Sequence, residues 1–172
     1  MNKSLILSSF TFTAPCPVDN PNYSSIDGTC YFFDTTWRNR VAAKENCQSL
    51  NGKLWEPKTL DEMEKVKNKA FEINEYGQWW WIGISDANVE GVWQYDSNDE
   101  NFPFSTTSIP PWGGNGEPNG GTVENCAVLG SFPNLLFIDL TCDDPNRLSI
   151  CQLQSDFQGT ITIFFSNYLI FL

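Results

Sequence analysis

The sequence predicts an α+β domain in which two helices pack with short strands and disulfides hold the fold together. Two stretches with helical periodicity lie between residues 35 and 70, and several short β-favouring runs follow between residues 78 and 153. Six cysteines form an even set without a C-x-x-C pair, which favours disulfides over a zinc site. With 172 residues, of which 41% are hydrophobic, the chain can form one domain with a full core.

The N-terminal part of the chain predicts a short leader followed by a hairpin. Residues 1–15 combine an early lysine with a brief apolar run, so we expect a signal peptide, with an N-terminal segment of another kind as the alternative. Turn formers fill the interval between Cys16 and Cys30, and the aromatic run over residues 30–34 predicts a strand. A hairpin closed by a Cys16–Cys30 disulfide fits this pattern, although spacing alone leaves six cysteines many possible pairings.

Two helices are predicted next. The first is expected to begin at Thr35 or Thr36 and to end at Gly52. Its inward face would carry Trp37, Val41, Cys47 and Leu50. For the second helix, Thr59 and Glu62 have the spacing of a capping box. Its apolar stripe, which we expect to enter the core, comprises Met63, Val66 and Ala70.

Short strands and one long loop make up the C-terminal half. The dense run WWWIGI, residues 79–84, predicts a central buried strand. Further strands are predicted at residues 92–95, 126–129, 135–140 and 149–153. Residues 97–119 are rich in Ser, Thr, Pro, Gly and Asn, and a loop of this length indicates a functional role. We expect five tryptophans in or near the core, namely Trp79, Trp80, Trp81, Trp93 and Trp112.

The charge balance restricts the partners of the protein. Its formal charge is −11, from 21 acidic and 10 basic residues, whereas binding to nucleic acid or to an anionic membrane surface requires basic patches. A cation or a neutral ligand is the easier partner. The sequence also has no histidine, so it lacks the commonest general base and zinc ligand. We therefore expect no nucleic-acid binding and no enzymatic activity.

The last segment, residues 155–172, is predicted to lie outside the main domain of residues 16–154. It has no charge after Asp156, but its apolar run is shorter than the roughly 20 residues that a membrane-spanning helix needs. We favour a segment that is not part of the natural domain. A truncated membrane segment, a processed anchor signal and a further strand are the alternatives, and this tail is the only candidate for a membrane anchor.

The cysteines also predict where the protein acts. Disulfides persist in oxidising environments, so we expect a secreted or extracellular protein. Asn-x-Ser triplets at Asn2 and Asn22, which are acceptors for N-linked glycans, are compatible with secretion.

Oxygen-bearing side chains concentrate between Glu117 and Cys142. They are contributed by Glu117, Asn119, Glu124, Asn125 and Asp139, within one neighbourhood that cysteines enclose. Carboxylate and amide oxygens are the ligands of a hard cation, so this stretch predicts a calcium site. Pro118 supports the prediction, because a cis Glu117–Pro118 bond would turn both flanking side chains toward one point.

Several motifs follow one another in a specific order. They are CYFF at residues 30–33, WIGI at 81–84, EGVWQY at 90–95, the tryptophan of PPW at 112, EPN at 117–119, ENC at 124–126 and FIDLTC at 137–142. With these landmarks, the chain from Cys16 to Leu153 resembles a C-type lectin-like domain of the form with an additional N-terminal cysteine pair. The resemblance implies an α+β fold with two helices, small antiparallel sheets and a long loop region. It also implies the disulfides Cys16–Cys30, Cys47–Cys151 and Cys126–Cys142.

The resemblance further implies a calcium site that serves as the sugar site. Its ligands correspond to Glu117, Asn119, Glu124 and Asp139. Two vicinal sugar hydroxyls would bind the calcium ion, while the same ligand side chains exchange hydrogen bonds with those hydroxyls. A carboxylate only accepts and an amide NH2 only donates, so the order Glu-Pro-Asn has a direction. The family associates this order with mannose, N-acetylglucosamine, glucose or fucose rather than galactose, which implies mannose-type glycans as partners.

One departure from the family pattern concerns the segment Phe137-Ile138-Asp139, where the family has Trp-Asn-Asp. Ile138 supplies neither a metal-ligating oxygen nor an amide donor to sugar. Two hypotheses follow. The first is a secreted, calcium-dependent lectin for mannose-type glycans. The second is a lectin-fold interaction module that has lost calcium and sugar binding and binds a protein or another surface.

A second departure concerns an auxiliary calcium site. Asp86 and Glu90 keep the family spacing after the WIGI strand, and they would be joined by Asn125 and by the shared ligand Glu124. Gly120 stands where the family pattern leads us to expect another oxygen ligand. The auxiliary site is therefore predicted with an incomplete ligand set.

Overall fold

The chain divides into two units, which are described separately. The computed structural model describes residues 7–13, 16–17, 19–74, 78–107, 110–113, 116–130, 136–154 and 158–164. Residues 16–154 belong to the main unit, and the terminal segments 1–15 and 155–172 form the other. Within the described residues the elements are, in chain order, β1 (Leu7–Thr13), β2 (Tyr23–Ile26), β3 (Thr29–Arg38), α1 (Arg40–Ser49), β4 (Gly52–Leu54), α2 (Leu60–Ile73), β5 (Trp80–Ser85), β6 (Gln94–Tyr95), a 3₁₀ helix (Gly121–Val123), β7 (Cys126–Leu129), β8 (Phe137–Leu140), β9 (Arg147–Leu153) and β10 (Gln158–Phe164).

The terminal unit is a two-stranded antiparallel ladder. Strand β1 pairs with β10 from Leu7 opposite Phe164 to Thr13 opposite Gln158. Residues 158–164 of the apolar tail are therefore a strand. The signal peptide and the membrane anchor concern processing and location, and both stay predictions.

The main unit is built on one mixed sheet of eight strands. Its order is β2-β3-β9-β5-β7-β8, with β4 also pairing to β9 and β6 to β5. Strand β5 lies at the centre, and residues Trp80 to Ile84 are buried, as predicted for a central strand. The prediction of small antiparallel sheets is wrong in one respect, because β5 and β9 pair in parallel. Of the predicted strand at residues 92–95, only Gln94–Tyr95 forms a strand.

Three disulfides tie the sheet to its surroundings, and all three predicted pairings are confirmed. Cys16–Cys30 closes the hairpin of β2 and β3 onto the preceding segment. Cys47–Cys151 joins α1 to β9, and Cys126–Cys142 joins β7 to the chain that follows β8. The last of these holds together the two strands that flank the predicted calcium site.

The prediction for the first helix is wrong at its start and on its inward face. Strand β3 continues to Arg38, so Thr35, Thr36 and Trp37 lie in a strand, and Asn39 is the N-cap. Trp37 and Val41 are exposed, whereas Cys47 is buried as predicted. The helix ends at Ser49, and Asn51 rather than Gly52 takes the left-handed conformation, with φ of 57°.

Local hydrogen bonds explain why β3 extends so far. Asp34 accepts from the backbone N–H of Thr36 (2.9 Å) and from Nε of Arg38 (2.7 Å). These two hydrogen bonds hold the backbone between Asp34 and Arg38 extended. The Asn39 side chain then accepts from the N–H of Ala42 at 2.8 Å. Asparagine is a better N-cap than threonine, so the helix begins after the stronger cap.

The second helix matches its prediction. The Thr59 hydroxyl accepts from the N–H of Glu62 at 3.2 Å, and Met63, Val66 and Ala70 are buried. The Glu62 carboxylate accepts from the N–H of Lys58 at 2.8 Å. Its other oxygen accepts from the Tyr31 hydroxyl and from the Trp55 indole N–H, both at 2.8 Å. Glu62 therefore links α2 to two aromatic side chains of the core.

Replacing Glu62 by alanine is expected to lower the free energy of unfolding by about 2 kcal/mol, because it leaves buried donors on Tyr31 and Trp55 without an acceptor. Glu62→Gln keeps an acceptor oxygen and should cost less. Glu64→Ala is the matched control, since Glu64 is exposed on the same helix and its ion pair with Lys67 is worth little. Urea unfolding measures all three. Equal losses for Glu62→Ala and Glu64→Ala would contradict the role given to Glu62.

The long loop between β6 and the 3₁₀ helix is fixed to the rest of the domain near its start and toward its end. At its start, the buried Glu56 carboxylate accepts from the N–H of Ser97 at 2.8 Å. Toward its end, Trp112 is fully buried and forms an isolated parallel bridge with Phe137 of β8. Because Trp112 is anchored, the residues that follow it enter the predicted site from a defined position.

Candidate functional site

The Glu117-Pro118-Asn119 turn brings its two polar side chains together. The Glu117–Pro118 peptide bond is cis, as the sequence predicts. Asn119 Nδ2 donates a hydrogen bond to Glu117 Oε1 at 2.8 Å.

Asp139 fixes this turn to the sheet. It lies on β8 between residues that alternate in burial, and its side chain points into the protein with 5% of the residue exposed. One carboxylate oxygen accepts from the N–H of Asn119 at 2.9 Å, and the other accepts from the N–H of Gly120 at 2.6 Å. Strand β8 therefore determines where the Glu117-Pro118-Asn119 turn lies.

Glu124 approaches from the other side of the turn. It follows the 3₁₀ helix, and its side chain lies against Gly120, where an added Cβ would be 2.2 Å from Glu124 Cβ and 2.4 Å from Glu124 Oε2. Any larger residue at position 120 would displace Glu124. Sequence reasoning identified Gly120 only as a missing ligand, whereas the structure shows that this glycine makes room for a predicted ligand.

The carboxylates at this turn carry uncompensated negative charge. Burial and then the neighbouring Asp139 carboxylate raise the pKa of Glu117 to about 7, with a smaller contribution from Glu124. Burial and the Asp139 charge also raise the pKa of Glu124. Among the residues that the structure describes, no lysine or arginine forms an ion pair with Glu117, Glu124 or Asp139. A divalent cation would neutralise this charge.

The predicted auxiliary ligands contain two buried oxygens without partners. The backbone N–H of Asp86 donates to the Asn125 carbonyl at 3.2 Å, and Asp86 Oδ2 accepts from the N–H of Gly91 at 2.9 Å. Asp86 Oδ1 and Asn125 Oδ1 are buried and have no hydrogen-bond partner. Burial is the largest cause of the raised pKa of Asp86. The charge of Asp139 raises this pKa as well, whereas the hydrogen bond from the Gly91 N–H lowers it.

Glu90 is the exposed member of the auxiliary set. Its Oε1 atom lies 4.0 Å from the position that a Cβ on Gly121 would occupy, so it faces the start of the 3₁₀ helix. The structure thus brings Glu90 to the same short helix that precedes Glu124.

The donor atoms fit calcium in type, because carboxylate and amide oxygens are its protein ligands. The unpartnered oxygens of Asp86 and Asn125 are atoms that a bound cation would satisfy. Across the described ranges, however, no three acidic or cysteine side chains are grouped so that they could hold a metal ion. Both Asp139 oxygens already accept backbone hydrogen bonds. The residues therefore supply the ligand chemistry without a preformed cage.

Two apolar residues border the turn. Ile138 packs with the apolar cluster around Val128, and a Cβ on Gly113 would lie 3.5 Å from Ile138 Cγ2 and 3.0 Å from Glu117 Cγ. Ile138, which stands where the family pattern has an amide, and the stem of Glu117 therefore both border Gly113. Val123 is 72% exposed directly before Glu124.

The five tryptophans that were predicted in or near the core lie there. Trp80, Trp81, Trp93 and Trp112 are buried, and Trp79 is half-buried. The Trp112 ring lies 4.7 Å from that of Trp93 and 6.2 Å from that of Phe137. Trp112 is thus part of the core that supports the site, and it presents no face to a ligand.

Comparison with known proteins identifies similar sequences. Residues 36–153 match the family described as the Lectin C-type domain. Human C-type lectin domain family 4 member E is 31% identical over 141 residues, which cover 80% of this chain and 58% of that protein. Gorilla C-type lectin domain family 4 member M is 30% identical over 131 residues, which cover 76% of this chain and 31% of that protein. The chain therefore spans less than two thirds of either curated relative.

A solved structure shares the fold. It is the C-type carbohydrate-recognition domain of cow CD23, determined in the presence of a GlcNAc2Man3 oligosaccharide. The TM-score is 0.63 at 22% identity, and the match covers 80% of this chain and 95% of that one. At this identity the likeness concerns the fold alone. Among the described residues, no helix is both long and apolar enough to cross a membrane.

Proposed function

The chain belongs to the C-type lectin domain family, and on this premise we propose that it is a calcium-dependent lectin for mannose-type glycans that acts outside the cell. The observation that carries the proposal is the arrangement at the Glu117-Pro118-Asn119 turn. Asn119 contacts Glu117 through its side chain and Asp139 through its backbone, and Glu124 packs against the adjoining Gly120. These contacts link the four residues of the expected ligand set through one turn, which supports the proposal.

The side chains of Glu117, Asn119, Glu124 and Asp139 would hold the calcium ion. Bound calcium supplies a positive centre that neutralises the carboxylates and attracts the oxygen atoms of vicinal sugar hydroxyls. Glu117 accepts hydrogen bonds from the sugar, and the Asn119 amide donates them. Because Asn119 and Glu117 are also bonded to each other, sugar binding depends on the orientation of both side chains.

The proposal is tested by passing the protein over immobilised mannose, first with calcium and then with a chelator. Retention with calcium and release by the chelator are expected. Immobilised galactose is the control, and weaker retention on it is expected from the Glu-Pro-Asn order. Equal retention on mannose with and without calcium would exclude the metal-bridged mechanism.

We assign the ligands of an auxiliary calcium ion to four residues, namely Asp86, Glu90, Glu124 and Asn125. The two unpartnered buried oxygens on Asp86 and Asn125 support this assignment. Calorimetry of the wild type and of Asp86→Asn tests it. A second calcium in the wild type that Asp86→Asn lacks is the expected result, and a single calcium in both proteins would contradict it.

The second candidate function is a lectin-fold interaction module that binds neither calcium nor sugar. Ile138 favours it, because this side chain packs against apolar neighbours where the family pattern has a ligand. The occupied Asp139 oxygens favour it as well. Calorimetry separates the candidates, since this module would show no calcium uptake up to the millimolar range.

Replacing Ile138 by asparagine is expected to strengthen sugar binding between about twofold and tenfold. The new amide restores a metal-ligating oxygen and a donor to sugar, and one neutral hydrogen bond is worth about 0.5–1.5 kcal/mol. Ile138→Val is the control for altered packing against Val128. Titration with a mannoside in saturating calcium measures the change. An affinity that stays at the Ile138→Val level would show that position 138 lies outside the sugar site.

The location of the protein is part of the same proposal. Three disulfides support an oxidising compartment outside the cytosol. The Cys16–Cys30 bridge supports assignment to the form of the domain with an additional N-terminal pair. A membrane anchor in residues 155–172 remains the alternative to secretion, and fractionation of cells that express the full chain distinguishes the two.

A further inference from the structure

Asn22 is the first residue of the triplet Asn22-Tyr23-Ser24, an acceptor sequence for N-linked glycans. The structure places it in the turn that enters β2. Its backbone is held in place, because its N–H donates to Asn20 Oδ1 at 3.0 Å and its carbonyl accepts from the N–H of Phe33 at 2.8 Å. The acceptor asparagine is therefore presented on a rigid hairpin that the Cys16–Cys30 disulfide closes.

The side chain of Asn22 has little to hold it. Its Nδ2 atom makes one hydrogen bond, to Thr35 Oγ1, at the long distance of 3.4 Å and in an exposed position. Glycosylation forms its bond at this nitrogen. One hydrogen remains on Nδ2 after the reaction, so the contact with Thr35 can persist.

An uncovered aromatic side chain lies beside this position. Between Asp34 and Arg38 strand β3 departs from its register with β9, and residues 35–37 are exposed. Trp37 is 51% exposed. Thr35 and Trp37 are two residues apart in β3, and two residues of extended chain span about 7 Å. Trp37 therefore leaves a large part of its aromatic surface in contact with water, where the apolar face of a sugar ring could cover it.

We propose that Asn22 carries an N-linked glycan whose inner sugars cover the indole of Trp37. The apolar faces of sugar rings would shield the indole, and the polar edges of the same rings stay in water. The occupant is thus a glycan attached to this chain, and the inference is independent of the calcium site, which lies on other elements.

The transfer requires a lipid-diphosphate-linked oligosaccharide as co-reactant. A bond forms between Asn22 Nδ2 and the anomeric carbon of the first sugar, and the bond from that carbon to the diphosphate oxygen breaks. The lipid diphosphate leaves with the electron pair, and Nδ2 loses one proton.

Glycosylation is tested on the full chain directed into the secretory pathway of a eukaryotic cell line. The secreted protein is treated in heavy-oxygen water with an amidase that removes N-glycans and leaves a heavy oxygen on the acceptor residue. Its peptides are then analysed by mass spectrometry. The mass label is expected at Asn22, and it should be lost in Asn22→Gln and in Ser24→Ala. Ser25→Ala is the matched control, because Ser25 is exposed next to the triplet but outside it. Asn2 lies on a separate peptide, so its own triplet does not confuse the result. An unlabelled Asn22 in the secreted wild type would overturn the proposal.

The covering of Trp37 is tested by hydroxyl-radical oxidation followed by peptide mass analysis. Removing the glycan is expected to raise the oxidation of Trp37 several-fold. The half-buried Trp79 is the internal control, and its oxidation should stay constant. Asn22→Gln, which keeps the hairpin backbone, should show the same high oxidation of Trp37. Equal oxidation of Trp37 with and without the glycan would overturn the contact.

Discussion

Replacing Asp139 by asparagine is expected to abolish calcium binding and calcium-dependent retention on mannose. The change removes a buried negative charge at the centre of the ligand set. It also places an NH2 group where one oxygen now accepts from the N–H of Asn119 or Gly120, so the turn loses one of its two hydrogen bonds to β8. Calorimetric titration with calcium, followed by mannose chromatography, measures both losses.

Two further variants separate the metal ligand from the support of the turn. Glu124→Gln keeps the packing against Gly120 but removes a charge, and no hydrogen bond to Glu124 is broken among the described residues, so its loss of calcium binding reports ligation alone. Asp143→Asn is the control for a nearby exposed carboxylate and should bind calcium as the wild type does. If Glu124→Gln and the wild type bound calcium equally, Glu124 would be excluded as a ligand.

The sequence predicted best those elements with a clear apolar pattern. Strand β5 is a continuous apolar run that is buried almost throughout, and the apolar stripe of α2 repeats every third to fourth residue. The start of α1 was predicted wrongly because two threonines are acceptable caps. The choice of Asn39 depends on hydrogen bonds from Asp34 to Thr36 and Arg38, which hold β3 extended. Those bonds could not be deduced from the local sequence.

The residues of the site could be named from the sequence, but not their present contacts. The motif around Pro118 identified Glu117 and Asn119 and anticipated the cis bond. That Asp139 accepts from two backbone N–H groups of the turn depends on the register of β8 against β7, which is a tertiary property. The requirement for glycine at position 120 likewise appears only when Glu124 is packed against it.

Acidification is expected to weaken calcium binding about a hundredfold between pH 7.5 and pH 5. Burial and the neighbouring carboxylates raise the pKa of Glu117 to about 7. A ligand must lose its proton before it binds a metal, so below this pH the affinity falls about tenfold per pH unit for each proton displaced. The raised pKa of Glu124 steepens the fall further. Calorimetry across this pH range measures it, and an affinity that is constant down to pH 5 would contradict the ligand assignment.

The folding stability of the calcium-free protein should change in the opposite direction. Because the folded pKa of Glu117 lies above its ordinary value, the folded state binds more protons than the unfolded state between these two values. Stability therefore increases as the pH falls from about 7 toward the ordinary glutamate pKa, and it decreases as the pH rises through 7. Glu117→Gln removes the contribution of this residue to the pH dependence, and saturating calcium stabilises the ionised form and offsets it. Urea unfolding at several pH values tests the direction in which the free energy of unfolding changes. The carboxylates that destabilise the calcium-free turn at neutral pH are the same ones that attract the ion.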